Sequence, residues 1–311
     1  MIKKALITAK VHPYIHHRLH ELGYSVDIKP EIEQIDLLPI IQDYEILIIT
    51  TYTKVDKLLI DNATKLKIVG RVGSGMENVD ITYCQHKNIR CFNSPEGNGN
   101  AVGEHSLAML LCLINNIIPA NAELQQGLFL REENRGVELD GNTVGIIGYG
   151  HTGSAFAKKL RGFDVEVLVY DRYKKATDNF VKNVTLETLQ QQSNIVSFHV
   201  PYTTDTHYYC NATFISKCLK KPIVINTSRG AILNTIDVIL ALKQDKISGL
   251  CIDVFEDEPL QKNKIHHYEL YQKLISFRQV IATPHIAGWT VESKHKLAKI
   301  LMDKIEHAIF L

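Results

Sequence analysis

The sequence predicts an α/β fold, in which parallel sheets are covered by helices on both faces. Two observations predict it. Short apolar, β-branched runs alternate with helical patterns along nearly the whole chain, which is typical of parallel strands joined by crossover helices. One of these runs, Val144–Ile147, leads into a glycine-rich turn and then a helix. A length of 311 residues is enough for two sizeable cores, so we expect two domains.

The first hundred residues predict one small α/β unit. We expect strands at 5–9, 24–28, 46–49, 67–70 and 90–92, and helices at 14–22, 31–42 and 79–87. A long helix follows from about 101 to 118, and Pro119 is expected to end it because proline cannot continue a helix. Apolar residues surround much of this helix, as they would in a helix packed between domains or subunits, but an ordinary core helix has the same pattern.

The second half of the chain predicts a larger sheet. Six strands are expected, at 144–148, 166–171, 195–199, 223–227, 249–253 and 280–283. Six parallel strands alternating with helices are the strand count of a complete doubly wound nucleotide domain.

Gly148, Gly150 and Gly153 have the G-x-G-x-x-G spacing of a dinucleotide-binding turn. The first glycine makes the tight turn, the second lets a pyrophosphate approach, and the third lets helix and strand pack closely. Asp171 ends the next strand, 18 residues after Gly153, where a carboxylate is expected to accept hydrogen bonds from a ribose. The spacing alone also suits a structural turn, but strand, helix and acid in register favour a dinucleotide site.

Composition excludes several classes of partner. The 35 Lys and Arg against 34 Asp and Glu leave a formal charge of +1, so we expect no nucleic-acid partner. The chain opens on a predicted strand and contains no apolar run of membrane-spanning length, so we expect a cytoplasmic location and no membrane contact. No metal is expected: the six cysteines are scattered, and the adjacent side chains of His16–His17 and His266–His267 point in different directions.

Candidate catalytic side chains follow three predicted strands. Arg229 could hold a substrate carboxylate bidentately, although loop arginines are often only solvated. Several acids follow the next strand, in 253–258, and spacing does not say which of them acts. His285 follows the last strand, and an imidazole near a carboxylate can exchange protons near neutral pH. A lone histidine is more often structural, but one beside a nucleotide site is more often catalytic.

A fourth candidate lies in the first unit, in the loop Gly70–Asp80. Gly73 and Gly75 make it rich in backbone N–H groups, which suits a carboxylate. It is not a second nucleotide turn, because Asn78 stands where the third glycine would be.

Together these motifs resemble the D-2-hydroxyacid dehydrogenases. The resemblance covers nearly the whole chain and keeps the family's order of motifs: 71–80, 148–153, 226–230, 253–259 and 283–288. Within the family, Gly70–Gly75 and Asn93–Asn98 are most similar to the D-3-phosphoglycerate dehydrogenases.

The resemblance implies an architecture. A Rossmann nucleotide domain would span 99–285, and a smaller flavodoxin-like substrate domain would combine 1–98 with 286–311. The long helix after residue 99 contributes to a dimer in the family, so we expect a homodimer. The longer phosphoglycerate dehydrogenases carry a C-terminal regulatory domain, whereas this sequence ends at Leu311, so serine feedback through such a domain is not expected.

The resemblance also implies roles for single residues. Arg229 would bind the substrate carboxylate and carbonyl, His285 would be the acid/base, and Glu258, rather than Glu256 or Asp257, would orient and polarise it. The cofactor would be bound by Gly148, Tyr149, Gly150, His151, Thr152, Gly153, Asp171, His199, Val200, Pro201, Thr227 and Asp253, the last of these on the nicotinamide carboxamide. The substrate would be bound by Arg71, Val72, Gly73, Ser74, Gly75, Arg229 and His285, with the N–H groups of Ser74 and Gly75 on its carboxylate.

The implied reaction moves a hydride between nicotinamide and C2 of a small 2-hydroxy or 2-oxo acid. D-3-Phosphoglycerate is the preferred substrate, and Arg71, Arg131 or Arg135 could meet its phosphate. Glyoxylate or hydroxypyruvate reduction is the alternative within the family. An NAD-sensing binding protein similar to the C-terminal-binding-protein corepressors is the alternative outside it.

Asp171 bears on the choice of cofactor. A carboxylate at this position favours NAD because it would repel a 2′-phosphate. The neighbouring cations Arg172, Lys174 and Lys175 leave NADP open.

Overall fold

The computed structural model describes residues 2–258 and 265–310, with side chains from residue 268 onward in the second range. It contains two compact units, residues 1–98 with 289–311 and residues 99–288. The sequence places the second boundary after His285, three residues too early. Ile286 and Ala287 donate backbone hydrogen bonds to Asp253, which keeps this turn with the second unit.

The first unit contains a five-stranded, wholly parallel sheet in the order β2-β1-β3-β4-β5, the flavodoxin-like order. Its strands are β1 Lys3–Ile7, β2 Tyr24–Ile28, β3 Ile46–Ile49, β4 Ile68–Arg71 and β5 Arg90–Asn93. Its helices before residue 98 are α1 Tyr14–Glu21, α2 Gln34–Leu37, α3 Lys57–Asn62 and α4 Ile81–His86. Every residue of the central strand β3 is buried, because helices cover both faces of the sheet.

The second unit contains a seven-stranded parallel sheet. Its strands are β6 Thr143–Ile147, β7 Glu166–Tyr170, β8 Val181–Asn183, β9 Ile195–Phe198, β10 Ile223–Asn226, β11 Gly249–Ile252 and β12 Val280–Ala282. Its helices are α5 Gly99–Ile114, α6 Ile117–Gln125, α7 His151–Lys159, α8 Leu186–Gln192, α9 Ala212–Ser216, α10 Thr235–Lys243 and α11 Ile265–Ile275. The strand order is β12-β11-β10-β9-β6-β7-β8, so the chain reverses direction across the sheet between β6 and β9. The predicted α/β fold with a doubly wound nucleotide sheet is confirmed.

The last helix, α12 Val291–Phe310, returns to the first unit. Its apolar stripe packs against the buried strands of that sheet; the stripe is Ala298, Leu301, Met302 and Ile305. The chain's two ends therefore build one core.

Three predictions of single elements were wrong. The helix expected at 31–42 is only the single turn α2 followed by a 3₁₀ turn, Ile41–Asp43. The edge strand β8 was missed, because only one of its three residues is buried. The long helix does not end at Pro119.

That long helix is in fact two helices, α5 and α6. The break is at Asn116, whose φ of 51° is left-handed. Pro119 lies in the first turn of α6, where its missing N–H is not needed. Among the described residues no single helix is long and apolar enough to span a membrane; α5 and α6 reach that length only as a pair bent by 60°.

Candidate active site

His285 and Glu258 form an ion-pair contact at the carboxyl edge of the large sheet. His285 follows β12, Glu258 lies in the loop after β11, and His285 Nδ1 is 2.5 Å from Glu258 Oε2. The hydrogen bond to Glu258 raises the pKa of His285 above its ordinary value, against the opposing effect of burial. Because Nδ1 faces the carboxylate, Nε2 is the ring nitrogen that remains for exchanging a proton.

The loop that carries Glu258 is itself held in place. Glu258 Oε1 accepts the backbone N–H of Phe255 at 2.6 Å, so both carboxylate oxygens are engaged. Glu256 accepts the hydroxyls of Tyr208 at 2.7 Å and Thr235 at 2.8 Å. Spacing alone could not separate the acids of this loop. In the structure Glu258 contacts His285, whereas Glu256 accepts hydrogen bonds from two hydroxyl groups.

Asp253 holds the turn around His285. The Asp253 side chain is fully buried, and its two oxygens accept the N–H groups of Ile286 at 2.9 Å and Ala287 at 2.8 Å. Its backbone carbonyl accepts the N–H of His285 at 2.7 Å. His285 has a φ of 56°, a conformation that costs a non-glycine residue about 1–3 kcal/mol. Three consecutive N–H groups on one aspartate hold it there.

Arg229 follows β10 and is half-buried. The loop before it is fixed by the buried Asn226, which accepts the N–H of Ser228 at 3.1 Å and donates to the carbonyl of Arg229 at 2.9 Å. The charge of Arg229 is close enough to lower the pKa of His285, against the stronger effect of Glu258. The structure therefore brings Arg229, Glu258 and His285 together at one edge of one sheet.

The glycine turn after β6 fits a dinucleotide. Gly148 has a φ of 91°, and a Cβ at Gly153 would lie 2.1 Å from the Gly148 carbonyl oxygen. A Cβ at Gly150 would meet nothing within 4 Å, so the space before the N-terminus of α7 is open. An open approach to a helix N-terminus is what a pyrophosphate requires. The turn continues through Tyr149, His151 and Thr152 into the first turn of α7.

Asp171 closes this turn from the end of β7. Its carboxylate accepts the N–H groups of Tyr149 at 2.7 Å, Tyr173 at 2.9 Å and Lys174 at 2.9 Å. Partial burial raises the pKa of Asp171, but these three donors outweigh it and hold that pKa below its ordinary value. The residue is therefore a fixed negative charge beside the glycine turn.

His199 packs behind the same turn, at the end of β9. Its ring is buried, Nε2 bonds to Ser197 Oγ at 2.8 Å, and Nδ1 has no partner among the described residues. Burial lowers the pKa of His199 to about 3, so the ring is neutral. Of its neighbours in the predicted cofactor set, Val200 would contact a Cβ at Gly148, and Pro201 is exposed. The buried Nδ1 of His199, which has no partner among the described residues, and the open space at Gly150 together fit a cofactor bound at this turn.

The predicted substrate loop follows β4 in the first unit. Gly73 N–H is 3.3 Å from Ser94 Oγ, Asn93 donates to the Ser74 carbonyl at 2.6 Å, and Ser74 Oγ donates to Asn98 at 2.9 Å. Within residues 2–258 and 265–310, the N–H groups of Ser74 and Gly75 have no acceptor. The loop is thus a rigid cradle with two adjacent donors for an anion.

Val72 and Arg71, the other two predicted substrate-binding residues of this segment, lie at the start of the loop. Val72 donates its N–H to Ile49 at 2.9 Å, which anchors the loop to the sheet. The guanidinium of Arg71 folds over Gly73, where a Cβ would lie 1.6 Å from its Nη1.

The arginines considered for a phosphate are placed differently. Arg135 pairs with Glu132 at 2.5 Å and lines a cavity of about 500 Å³ with Asn142 and Asn194. Those asparagines precede β6 and β9, so Arg135 lies at the amino edge of the sheet, opposite His285. Arg131 is exposed on the segment between α6 and β6. His266 and His267, considered for a metal, lie outside the described side chains.

An open glycine turn and a histidine–carboxylate pair on the carboxyl edge of one parallel sheet fit hydride transfer with a dinucleotide. The second unit therefore defines a dinucleotide-dependent oxidoreductase. The chain belongs to the D-isomer specific 2-hydroxyacid dehydrogenase family, since residues 107–287 match that family's NAD-binding domain. The family, the enzymatic class and the NAD cofactor are thus confirmed.

Several relatives of known function are similar to the chain. Hydroxypyruvate reductase of Thermotoga maritima is 32% identical over 88% of each chain. D-3-Phosphoglycerate dehydrogenase of Archaeoglobus fulgidus is 30% identical over 97% of this chain, which spans only 56% of that relative. The structure of D-lactate dehydrogenase from Aquifex aeolicus, complexed with NAD and lactic acid, superposes with a TM-score of 0.83 at 26% identity, covering 99% and 95% of the two chains.

Proposed function

We propose that this protein interconverts a short D-2-hydroxy acid and its 2-oxo acid, with His285 as the acid/base. The observation that carries the proposal is the contact of His285 Nδ1 with Glu258, which leaves Nε2 for the substrate oxygen. NAD, when bound, accepts or supplies the hydride at C2. The turn Gly148–Gly153 and Asp171 hold its pyrophosphate and ribose. Asp253, whose carboxylate oxygens have further lone pairs, holds the carboxamide.

His285 moves the proton of the reaction. In the reductive direction the imidazolium donates from Nε2 to the C2 oxygen, and in the oxidative direction neutral imidazole accepts that proton. Glu258 stabilises the imidazolium and fixes the ring's orientation through Nδ1. Its negative charge therefore extends the range of pH in which the proton donor is available.

Arg229 binds the carboxylate and the carbonyl of the substrate. A guanidinium presents parallel N–H groups to a carboxylate or to a carbonyl and its developing negative charge. Arg229 follows β10 and His285 follows β12, and only β11 lies between these two strands. The charge of Arg229 acts on His285, which supports this role. In the first unit, the N–H groups of Ser74 and Gly75 form a second carboxylate cradle.

Two substrates are candidates. D-3-Phosphoglycerate, with a role in serine biosynthesis, is supported by the similarity of Gly70–Gly75 to phosphoglycerate dehydrogenases and by the cation Arg71 on that loop. Unphosphorylated hydroxypyruvate or glyoxylate is supported by the position of Arg135, which is paired with Glu132 at the opposite edge of the sheet from His285.

A substrate panel tests the proposal. Turnover of D-3-phosphoglycerate, D- and L-glycerate, glycolate, and D- and L-lactate is measured with NAD and with NADP. The matching 2-oxo acids are measured with NADH and with NADPH, and the absorbance of the reduced nucleotide is followed throughout. D-Acids turned over with NAD and L-acids left unused is the expected result. Turnover of D-glycerate but not of its 3-phosphate would select the second candidate, and inactivity on every D-acid would refute the function.

We also propose that the protein is a cytoplasmic homodimer. A series of apolar side chains is exposed on α6 and the segment after it: Ile117, Ile118, Leu124, Leu128, Phe129 and Val137. A patch of this kind usually marks an interaction surface. Light scattering after size-exclusion chromatography should give twice the chain mass of 35.2 kDa. The substitution Phe129→Glu should lower the measured mass towards that of one chain. A monomeric wild type would refute the dimer.

A further inference from the structure

His105 lies on α5, outside all the motifs described above. Its ring Nε2 is 3.0 Å from Thr283 Oγ1 and 3.7 Å from Asp253 Oδ1. The helix α5 packs against β11 and β12. The His105 side chain therefore meets the ends of the two strands that lead to Asp253 and to His285.

The direction of these hydrogen bonds follows from hydrogen counting. The Thr283 hydroxyl has one hydrogen and two acceptors near it, Asp253 Oδ1 at 2.5 Å and Met109 Sδ at 3.9 Å. The carboxylate is nearer and by far the stronger acceptor. Having donated to Asp253, the hydroxyl can only accept from His105, so the hydrogen is on Nε2. The chain of donors runs from His105 through Thr283 to Asp253.

Asp253 is the group that holds the strained turn of His285. It accepts the N–H groups of residues 285, 286 and 287, and it is buried. Left-handed backbone at a non-glycine residue persists only where its surroundings over-determine it. A carboxylate whose Oδ1 is fixed by Thr283 can hold this turn in one orientation.

We infer that His105 is a positioning residue for His285: through Thr283 and Asp253 it fixes the 283–287 turn so that the imidazole faces Glu258. The inference rests on the proposed acid/base function of His285. The charged groups that act on that imidazole are Glu258, Asp253 and Arg229, all on loops of the same unit. His105 touches none of the reacting atoms in this scheme and acts only through the turn.

Two pairs of variants test the contact from both sides. Thr283→Val and His105→Phe remove the hydroxyl and the N–H donor, whereas Thr283→Ser and His105→Gln keep them. We expect kcat to fall about 10- to 100-fold in the first pair, since small misplacements of a catalytic group cost this much. The second pair should stay within about threefold of wild type in kcat and in KM for NADH. In the first pair kcat should fall by more than KM for NADH rises, because Asp253 holds the carboxamide as well as the turn. Glu104→Gln, an exposed neighbour on α5, is the matched control.

A second measurement does not depend on turnover. Titration of ¹³C-labelled histidines by NMR, with the His285 signal assigned by its loss in His285→Ala, reports the pKa of His285. Removing the hydroxyl or the donor should loosen the turn and bring this pKa down towards its ordinary value, while the Thr283→Ser and His105→Gln proteins titrate as wild type. If no 2-oxo acid is reduced, the proposed function fails, yet this titration still tests the positioning role.

Several results would overturn the inference. One is an unchanged His285 titration and kcat in both Thr283→Val and His105→Phe. Another is a raised KM for NADH at constant kcat, which would make His105 a cofactor contact. A third is loss of activity that the conservative variants fail to restore. Should Thr283→Val not fold, His105→Phe applies the same criteria from the helix side.

Discussion

We propose two functional regions on one sheet edge of the second unit, and they are built differently. The glycine turn Gly148–Gly153 uses backbone: its geometry depends on absent Cβ atoms and on N–H groups at the start of α7. The proposed acid/base region around His285 uses side chains: Asp253, Glu258 and Thr283 each hold a part of it by hydrogen bonds.

This difference predicts different failures. In a backbone-built region, added atoms do harm and the chemistry of the side chain matters little. In a side-chain-built region, atoms of the same shape but different charge or hydrogen-bonding capacity do harm. The variants below separate these two modes.

The largest effect is expected at His285. His285→Ala removes the proton donor and acceptor, so kcat should fall about 10²- to 10⁴-fold while NADH still binds. Steady-state kinetics and NADH fluorescence measure the two quantities. His307→Ala, an exposed histidine on α12, is the control and should retain full activity. Near-normal kcat in His285→Ala would remove the acid/base role.

The glycine turn offers a matched pair. A Cβ at Gly153 would clash with the Gly148 carbonyl, so Gly153→Ala should destabilise the fold by about 1–3 kcal/mol as well as weaken NADH binding. A Cβ at Gly150 meets no protein atom, so Gly150→Ala should keep the melting temperature and weaken NADH binding about tenfold or more.

Differential scanning fluorimetry and NADH titration distinguish the two variants. If Gly150→Ala binds NADH as wild type does, the open space before α7 is not where the pyrophosphate lies. If Gly153→Ala is as stable as wild type, close helix–strand approach is not what requires a glycine there.

A smaller effect is expected at Glu256. Glu256→Gln keeps the shape but replaces an acceptor of the Tyr208 or Thr235 hydroxyl by an amide N–H donor. The loss should be about 1–3 kcal/mol of unfolding free energy, measured in urea, with kcat lowered only a few-fold. A loss of kcat as large as that of His285→Ala would show that Glu256 has a direct role in the reaction.

Much of the acid/base edge could be predicted because parallel strands deliver their carboxyl ends to one edge. Arg229, the 253–258 acids and His285 each follow a predicted strand, so topology alone brought them together. The glycine turn could be predicted for another reason: its requirements are local, and three glycines in six residues satisfy them.

The contributions of His105, Thr283 and Glu256 could not be read in the same way. His105 and Thr283 are 178 residues apart, and nothing in the local pattern around either residue indicates the contact between them. Which acid of 253–258 meets the histidine also depends on loop conformation, including the positive φ of Asp257. The break at Asn116 was missed because the apolar pattern continues across it while its left-handed backbone leaves no mark in that pattern.

The central claim is that Glu258 raises the pKa of the acid/base His285. The pH dependence of kcat/KM for reduction of a 2-oxo acid tests it most directly, in wild type and in Glu258→Gln. Reduction needs the imidazolium, so kcat/KM should fall as pH rises through the pKa of His285. Loss of the carboxylate lowers this pKa, so the fall should move to lower pH in the variant. The same midpoint in both proteins would contradict the account.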